Sequence, residues 1–205
     1  MVVVVVDYGL GNLRSVAGGI ERVGGEPRVS STPADLLKAD RLILPGVGAF
    51  GDGMRNLRER GLIEPLTEAV VRRRTPILGI CLGAQLLARE SFEFGRHQGL
   101  GWIDGSVVRL DDGGDRLKIP HVGWNDIIRT GESVLFDGIP AEALFYFVHS
   151  FHVQCRDPSL VTAWCDYGGR FAAAFQSGNI YATQFHPEKS QRHGLALLKN
   201  FLEKA

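Results

Sequence analysis

Apolar residues fall into two alternating patterns in the first half of this chain, uninterrupted runs and helical stripes. Val2 to Val6 is a run of β-branched side chains with no polar alternation, which predicts a central strand covered on both faces. From Leu13 to about Val23 the apolar positions recur at helical spacing, with Asn12 placed as the cap and Gly24 and Gly25 as the stop. Arg28 to Ser30 and Arg41 to Leu44 read as strands, with a short helix opened by Thr32 and Pro33 between them. Met54 to Arg74 has helical spacing broken near Gly61 and Pro65, so two short helices or one interrupted helix are expected. Thr75 to Ile80 is again a buried strand, and Leu82 to Ala88 again a helix. Strand and helix in alternation require right-handed crossovers. The predicted fold is therefore α/β, with a mostly parallel central sheet, helices on both faces, and a functional crevice beyond the carboxyl ends of the strands, where Asp7, Pro45 and Cys81 fall.

After Gly99 the pattern changes. Val107 to Leu110, Leu117 to Ile119, Asn125 to Ile128, Ala143 to Val148 and Val161 to Tyr167 are short segments between glycine and aspartate turns, which predicts an antiparallel extension. Phe171 to Phe175 and Ile180 to Phe185 form a pair around Ser177, Gly178 and Asn179, and Gln191 to Glu203 supplies a closing helix. With no repeat or linker, a single domain over residues 1–205 is expected. A chain of 205 residues with 44% hydrophobic content has one substantial core, burying about 70% of its unfolded surface. Lys plus Arg and Asp plus Glu both number 23, so no global charge favours nucleic acid or an anionic membrane. Three cysteines are too few for a disulfide framework, and neither a leader nor a membrane-length apolar run is visible. A soluble, cytoplasmic protein is the expectation.

Candidate chemistry begins at Gly79 to Gly83, GICLG, on the strand-to-helix change. GxCxG is the spacing of a nucleophile elbow, in which a sharp turn strains the central residue and leaves room only for glycine beside it. Cys81 would also sit at a helix amino end, where negative charge is favoured. The same residues fit a small buried cysteine at a tight crossover. The loop Pro45 to Gly53 has Gly46, Gly48 and Gly51 in GxGxxG spacing, but the acid of a dinucleotide site should end the next strand, about 20 residues on, and that strand ends at the cysteine instead. The loop reads better as aiming a backbone N–H near Val47 or Gly48 over Cys81, half of an oxyanion hole whose other half is the N–H of Leu82.

Among six histidines, His186 in QFHPEKS is the one that suits Cys81. Pro187 biases it to an extended conformation, and two extended residues place His186 and Glu188 on one face. Alone, His-Pro-Glu reads as a turn. Beside an elbow it reads as base and orienter, because a free thiol is only about 3% ionised at pH 7 and an adjacent imidazole corrects that. If both lie on one strand, His149 and His152, three apart, fall on opposite faces, and no second cluster completes a metal site. Neither Cys155 nor Cys165 has an elbow, so both read as structural, and Arg72 to Arg74 as a solvated helix end.

GICLGAQ followed far downstream by HPE resembles the class I glutamine amidotransferases, whose flavodoxin-like glutaminase domains release ammonia from glutamine through a cysteine thioester. Within that family, DYGLGN, PGVGAFGD, PHVGWN, YFVHSF and QFHPEKS are together most similar to the glutaminase subunits of imidazole glycerol phosphate synthases, over nearly the whole chain. The resemblance implies a nucleophile at Cys81, a general base and acid at His186, its orienter at Glu188, and oxyanion donors at Val47 and Leu82. It implies glutamine contacts from Gly48, Gln85, Glu93, Ser150 and Phe151. Tyr8 to Asn12, Trp124, Tyr146 and Lys189 would face a (β/α)8 synthase partner in a heterodimer that makes imidazole glycerol phosphate in histidine biosynthesis. No cofactor and no metal are implied. Ala84 and Val122 stand where methionine is common in the family, at positions read as packing. Rival readings are another glutaminase subunit, of the anthranilate or pyridoxal phosphate synthase type, from which YGLGN and PHVGWN separate this chain, and a cysteine peptidase-like hydrolase. A relic, non-catalytic elbow is a third, against which the presence of Cys81, His186 and Glu188 together argues.

Overall fold

The opening valines form β1 (Val3–Val6), every residue of it buried. Val4 and Val6 pack into one apolar cluster, Val3 and Val5 into another on the opposite face, so one unbroken run serves two cores. The computed structural model describes residues 1–112, 114 and 117–205. The strands β2 (Pro27–Ser30), β3 (Arg41–Leu44) and β4 (Ile77–Ile80) follow. Between them lie α1 (Leu13–Arg22), α2 (Pro33–Leu36), α3 (Phe50–Glu59) and α4 (Ile63–Thr67), which runs on as a π-helical turn over Glu68–Arg72. Asn12 caps α1 through its side chain, and Gly24, at φ +83°, ends the segment as expected.

The chain continues through α5 (Leu82–Leu86), β5 (Ala88–Ser91), β6 (His97–Gln98), β7 (Ile103–Arg109), β8 (His121–Asn125), β9 (Ile128–Arg129) and β10 (Phe145–His149). Then come β11 (Phe151–Cys155), β12 (Val161–Asp166), β13 (Arg170–Ser177), β14 (Ile180–Thr183) and α6 (Gln191–Lys204). The main sheet has the order β2-β1-β3-β4-β14-β13-β12-β9. Its first five strands are parallel and the remainder antiparallel. Side chains of α1 and α6 join one cluster and those of α2 to α5 the other, so helices cover both faces.

Three expectations need correction. The elbow helix ends at Leu86, just short of Ala88, because carbonyls of Leu86, Leu87, Ala88 and Arg89 accept hydrogen bonds from the Gly99 to Ile103 backbone and turn the chain into β5. The antiparallel part is also divided: β9, β12 and β13 extend the main sheet, while β8 pairs with β10, and β5, β6, β7 and β11 make a separate sheet. Leu117 to Ile119 forms no strand.

Topology puts the chemistry at one place. β4 and β14 are parallel neighbours with Ile80 opposite Thr183, and the Cys81 N–H donates to the Thr183 carbonyl at 2.8 Å. Residues just past these two strands, Cys81 and Gln184 to His186, are therefore brought together from distant parts of the sequence. The close crossing also explains Gly83, where a Cβ would collide with the carbonyl oxygen of Leu44 at the end of β3. Gly83→Ala is expected to destabilise the fold by about 1–3 kcal/mol or more, read as a lower midpoint in denaturant titration; an unchanged midpoint would show that β3 yields freely.

Candidate active site

Cys81 sits between β4 and α5 with φ +53° and ψ −110°. A side-chain-bearing residue rarely adopts such a backbone, and the surroundings must impose it. They do: a Cβ at Gly79 would lie 2.8 Å from the Ala84 Cα, so the glycines permit the tight crossover that forces the turn. The sulfur is nearly buried, at 6% exposure. It lies 3.9 Å from the Val148 carbonyl and accepts from Gln184 Nε2 at 3.6 Å.

His186 is pinned by its own backbone, its N–H donating to the Tyr146 carbonyl at 2.9 Å and its carbonyl accepting from Ser190 Oγ at 2.6 Å. The ring is buried, with Nδ1 at 2.7 Å from Glu188 Oε1. Residues Pro187–Lys189 form a 3-10 turn, where an extended pair was expected; the turn still swings Glu188 under the imidazole. With Nδ1 donating to a carboxylate, Nε2 is the nitrogen left for chemistry, and it is buried without a hydrogen-bond partner. Burial lowers the pKa of His186, but the Cys81 sulfur and then the Glu188 carboxylate outweigh it and push it up to about 10. At neutral pH the imidazole is thus protonated, ready to give a proton to a leaving group.

A cavity of about 270 Å³ opens over Cys81, lined by Val47, Gly48, Leu82, Gln85, Glu93, Ser150 and Phe151. Every residue expected to contact the oxyanion or the substrate is therefore on one wall or another. Pro120, Val148 and His149 line it too, from motifs in which no pocket role was assigned. Gly48 has φ +105° and open space where a Cβ would be, so glycine is needed there for backbone freedom. Leu82 begins α5, and an N–H in the first turn of a helix has no intrahelical acceptor. Glu93 Oε2 accepts from the Phe50 N–H at 2.6 Å, serving α3 as a cap that Ala49 cannot provide. Gln85 Nε2 donates to the Phe151 carbonyl at 2.8 Å and to Gln184 Oε1 at 3.1 Å.

Of the residues expected at a partner surface, Tyr8 is corrected. It is fully buried, and its hydroxyl donates to the Pro45 carbonyl at 2.8 Å, because the ring fills the space beneath the glycine loop. Burial first, then the charge of Cys81, raises its phenol pKa. Asn12 is exposed and occupied as the α1 cap. Trp124, 44% exposed, meets Tyr146 edge-on at 5.9 Å, and Lys189 Nζ lies 5.7 Å from the Tyr146 ring centre. Val122, read as a packing position, is 56% exposed on the same strand as Trp124.

His149 and His152 do not share a strand, since His149 ends β10 and His152 lies in β11. The chain bends at Ser150 between β10 and β11, and both rings approach Phe171, at 4.9 and 5.6 Å. Among the described residues no group of three or more His, Cys, Asp or Glu side chains could hold a metal ion, and no helix is long and apolar enough to cross a membrane.

The chain matches the profile of the glutamine amidotransferase class-I family over residues 4–205. It is 51% identical to "Imidazole glycerol phosphate synthase subunit HisH" of Syntrophotalea carbinolica over 203 residues, covering 97% of this chain and 98% of that one. The protein of the same name from Geobacter sulfurreducens is 48% identical, with 98% of each chain covered. Among solved structures, PurLQS from Thermotoga maritima aligns with a TM-score of 0.76 at 21% identity, over 98% of this chain and 97% of that one. A glutamine amidotransferase from the same organism aligns at 0.69 and 16%, over 99% and 96%. At such identities the structures speak for the fold alone.

Proposed function

The chain belongs to the class I glutamine amidotransferases, and from that premise we propose that Cys81, His186 and Glu188 are its nucleophile, its general acid and base, and its orienter. The chain acts as the glutaminase subunit of an imidazole glycerol phosphate synthase, in histidine biosynthesis. The observation that carries the division of roles is the elbow cysteine at φ +53° opening into a cavity of amino-acid size, with the His186 imidazole, brought to it by the pairing of β4 and β14, held by Glu188 at 2.7 Å.

The Cys81 thiolate attacks the amide carbon of glutamine, forming a C–S bond, while the N–H groups of Val47 and Leu82 receive the developing oxyanion. His186 protonates the departing ammonia as the C–N bond breaks. It then takes a proton from the water that hydrolyses the glutamyl thioester, releasing glutamate. Gly48, Gln85, Ser150 and Phe151 hold the substrate, and Glu93 faces its ammonium group. Ammonia passes to a (β/α)8 synthase partner in a heterodimer, docked on Gly9 to Asn12, Trp124, Tyr146 and Lys189. Copurification of the two proteins, followed by an assay of ammonia release with and without the synthase and its nucleotide ligand, tests this reading. Cleavage of peptides or esters with no partner, and no ammonia from glutamine, would favour the peptidase-like alternative.

One residue separates binding from chemistry. Glu93→Gln removes the charge that meets the substrate ammonium but preserves an oxygen to cap α3. We expect KM for glutamine to rise about tenfold or more, the size of a charge-assisted hydrogen bond, with kcat changed less. A fall in kcat with KM unchanged would place the interaction of Glu93 in the transition state instead.

A further inference from the structure

A chain of buried polar groups runs from β8 to the nucleophile, and each link in it fixes the next. His149 Nδ1 lies 2.9 Å from the Phe151 carbonyl, which can only accept, so Nδ1 carries a proton. Burial holds the pKa of His149 down to about 3, leaving the ring neutral and its Nε2 an acceptor. His121 Nδ1, 3.2 Å away, must then be the donor. Its ring is stacked between Phe147 and Tyr167 at 4.9 and 4.0 Å, and its Nε2 faces Asn125 Nδ2 at 3.5 Å.

The Phe151 carbonyl also accepts from Gln85 Nε2, which fixes the orientation of that amide and points the same nitrogen at Gln184 Oε1. With its oxygen so engaged, Gln184 has one orientation left: its Nε2 faces Cys81 Sγ at 3.6 Å. Gln184 is 1% exposed and Gln85 5%, so the contact between the two amides is made away from bulk solvent. The Cys81 N–H and the Gln184 N–H both bond main-chain carbonyls, of Thr183 and Ala173 respectively, so the two backbones are tied while the side chains meet.

We propose that Gln184 is a further catalytic residue, its amide N–H donating to the sulfur of Cys81 and held in that orientation by Gln85, the Phe151 carbonyl, His149 and His121. The inference rests on the reading of Cys81 as nucleophile. Gln184 transfers no proton. It donates a hydrogen bond to the sulfur at the two moments when the sulfur is most negative: before the C–S bond forms, and when hydrolysis of the thioester breaks that bond and returns the electron pair to sulfur. His121 and His149 are positioning residues, acting through the carbonyl they orient.

The test uses the complex with the synthase partner and its ligand, and reads three quantities: glutamine kcat and KM, ammonia-dependent synthesis, and the rate at which iodoacetamide labels the Cys81 peptide at neutral pH. Gln184→Leu is expected to lower kcat and the labelling rate about tenfold, with KM within about twofold and ammonia-dependent synthesis unchanged. Gln184→Glu retains the acceptor for Gln85 but replaces the donor at sulfur, and should lower labelling at least as far; it serves also if the leucine variant fails to assemble. His149→Leu should shift labelling and kcat in the same direction. Unchanged labelling with a raised KM, or no change at all, in a variant that still assembles would overturn the proposal. Cys81→Ala in parallel separates the two readings: if that variant still uses glutamine, the nucleophile assignment fails, whatever Gln184 does.

Discussion

Alanine at position 81 is expected to abolish glutamine-dependent synthesis by the complex, roughly 10⁴-fold or more, while synthesis from added ammonia continues at its normal rate. The size follows from where the sulfur sits. On the proposed mechanism it is the atom that attacks, and the elbow that presents it, with φ +53° at Cys81 and glycines at 79 and 83, is formed by backbone that alanine leaves intact. The loss is then chemical, with little cost to the fold. No water molecule in its place has the nucleophilicity of a thiolate paired with a protonated imidazole, and the oxyanion donors alone recover only a small part of the rate. Retained ammonia use separates loss of the nucleophile from loss of the assembly. Equal glutamine-dependent and ammonia-dependent rates in the variant would revive the view that the elbow is a relic.

The second large effect concerns the partner. The isolated chain is expected to release ammonia from glutamine at about a hundredth of the rate of the complex, or less, the cost of one missing oxyanion donor. The structure supplies the connection. Tyr8 bonds the Pro45 carbonyl, and a Cβ at Gly11 would touch the Pro45 ring at 3.3 Å, so the segment from Tyr8 to Asn12 lies directly against the loop that carries Val47 and Gly48. Gly48, at φ +105° with open space where a Cβ would be, has no side chain to restrict the peptides on either side of it. On the proposed docking surface, a partner seated on Gly9 to Asn12 would bear on the orientation of a donor above Cys81. Comparable rates with and without the synthase partner would rule this switch out.

What could be read from the sequence divides by the range of the interaction. The doubly buried valines, the capped α1 and the glycine elbow are local rules, and each took the form its residues dictate. The approach of His186 to Cys81 was legible because glycine, proline and glutamate at fixed offsets carry a chemical meaning beyond spacing. The end of α5 was not legible, since it is decided by hydrogen bonds from Gly99 to Ile103, and nothing within Leu82 to Ala88 announces them. Tyr8 misled for a similar reason: an aromatic residue in a glycine loop looks exposed until Pro45 is folded over it. Gln184 lay in the same motif as His186, and only its contact with the sulfur distinguishes it from an ordinary strand-end amide.

Because β14 takes its place in the middle of the main sheet, next to β4, yet is made among the last segments of the chain, the site has a consequence for synthesis. A growing polypeptide can complete its cysteine turn long before the imidazole exists. Until β14 has paired between β4 and β13, the proposed nucleophile lacks the imidazole proposed as its base.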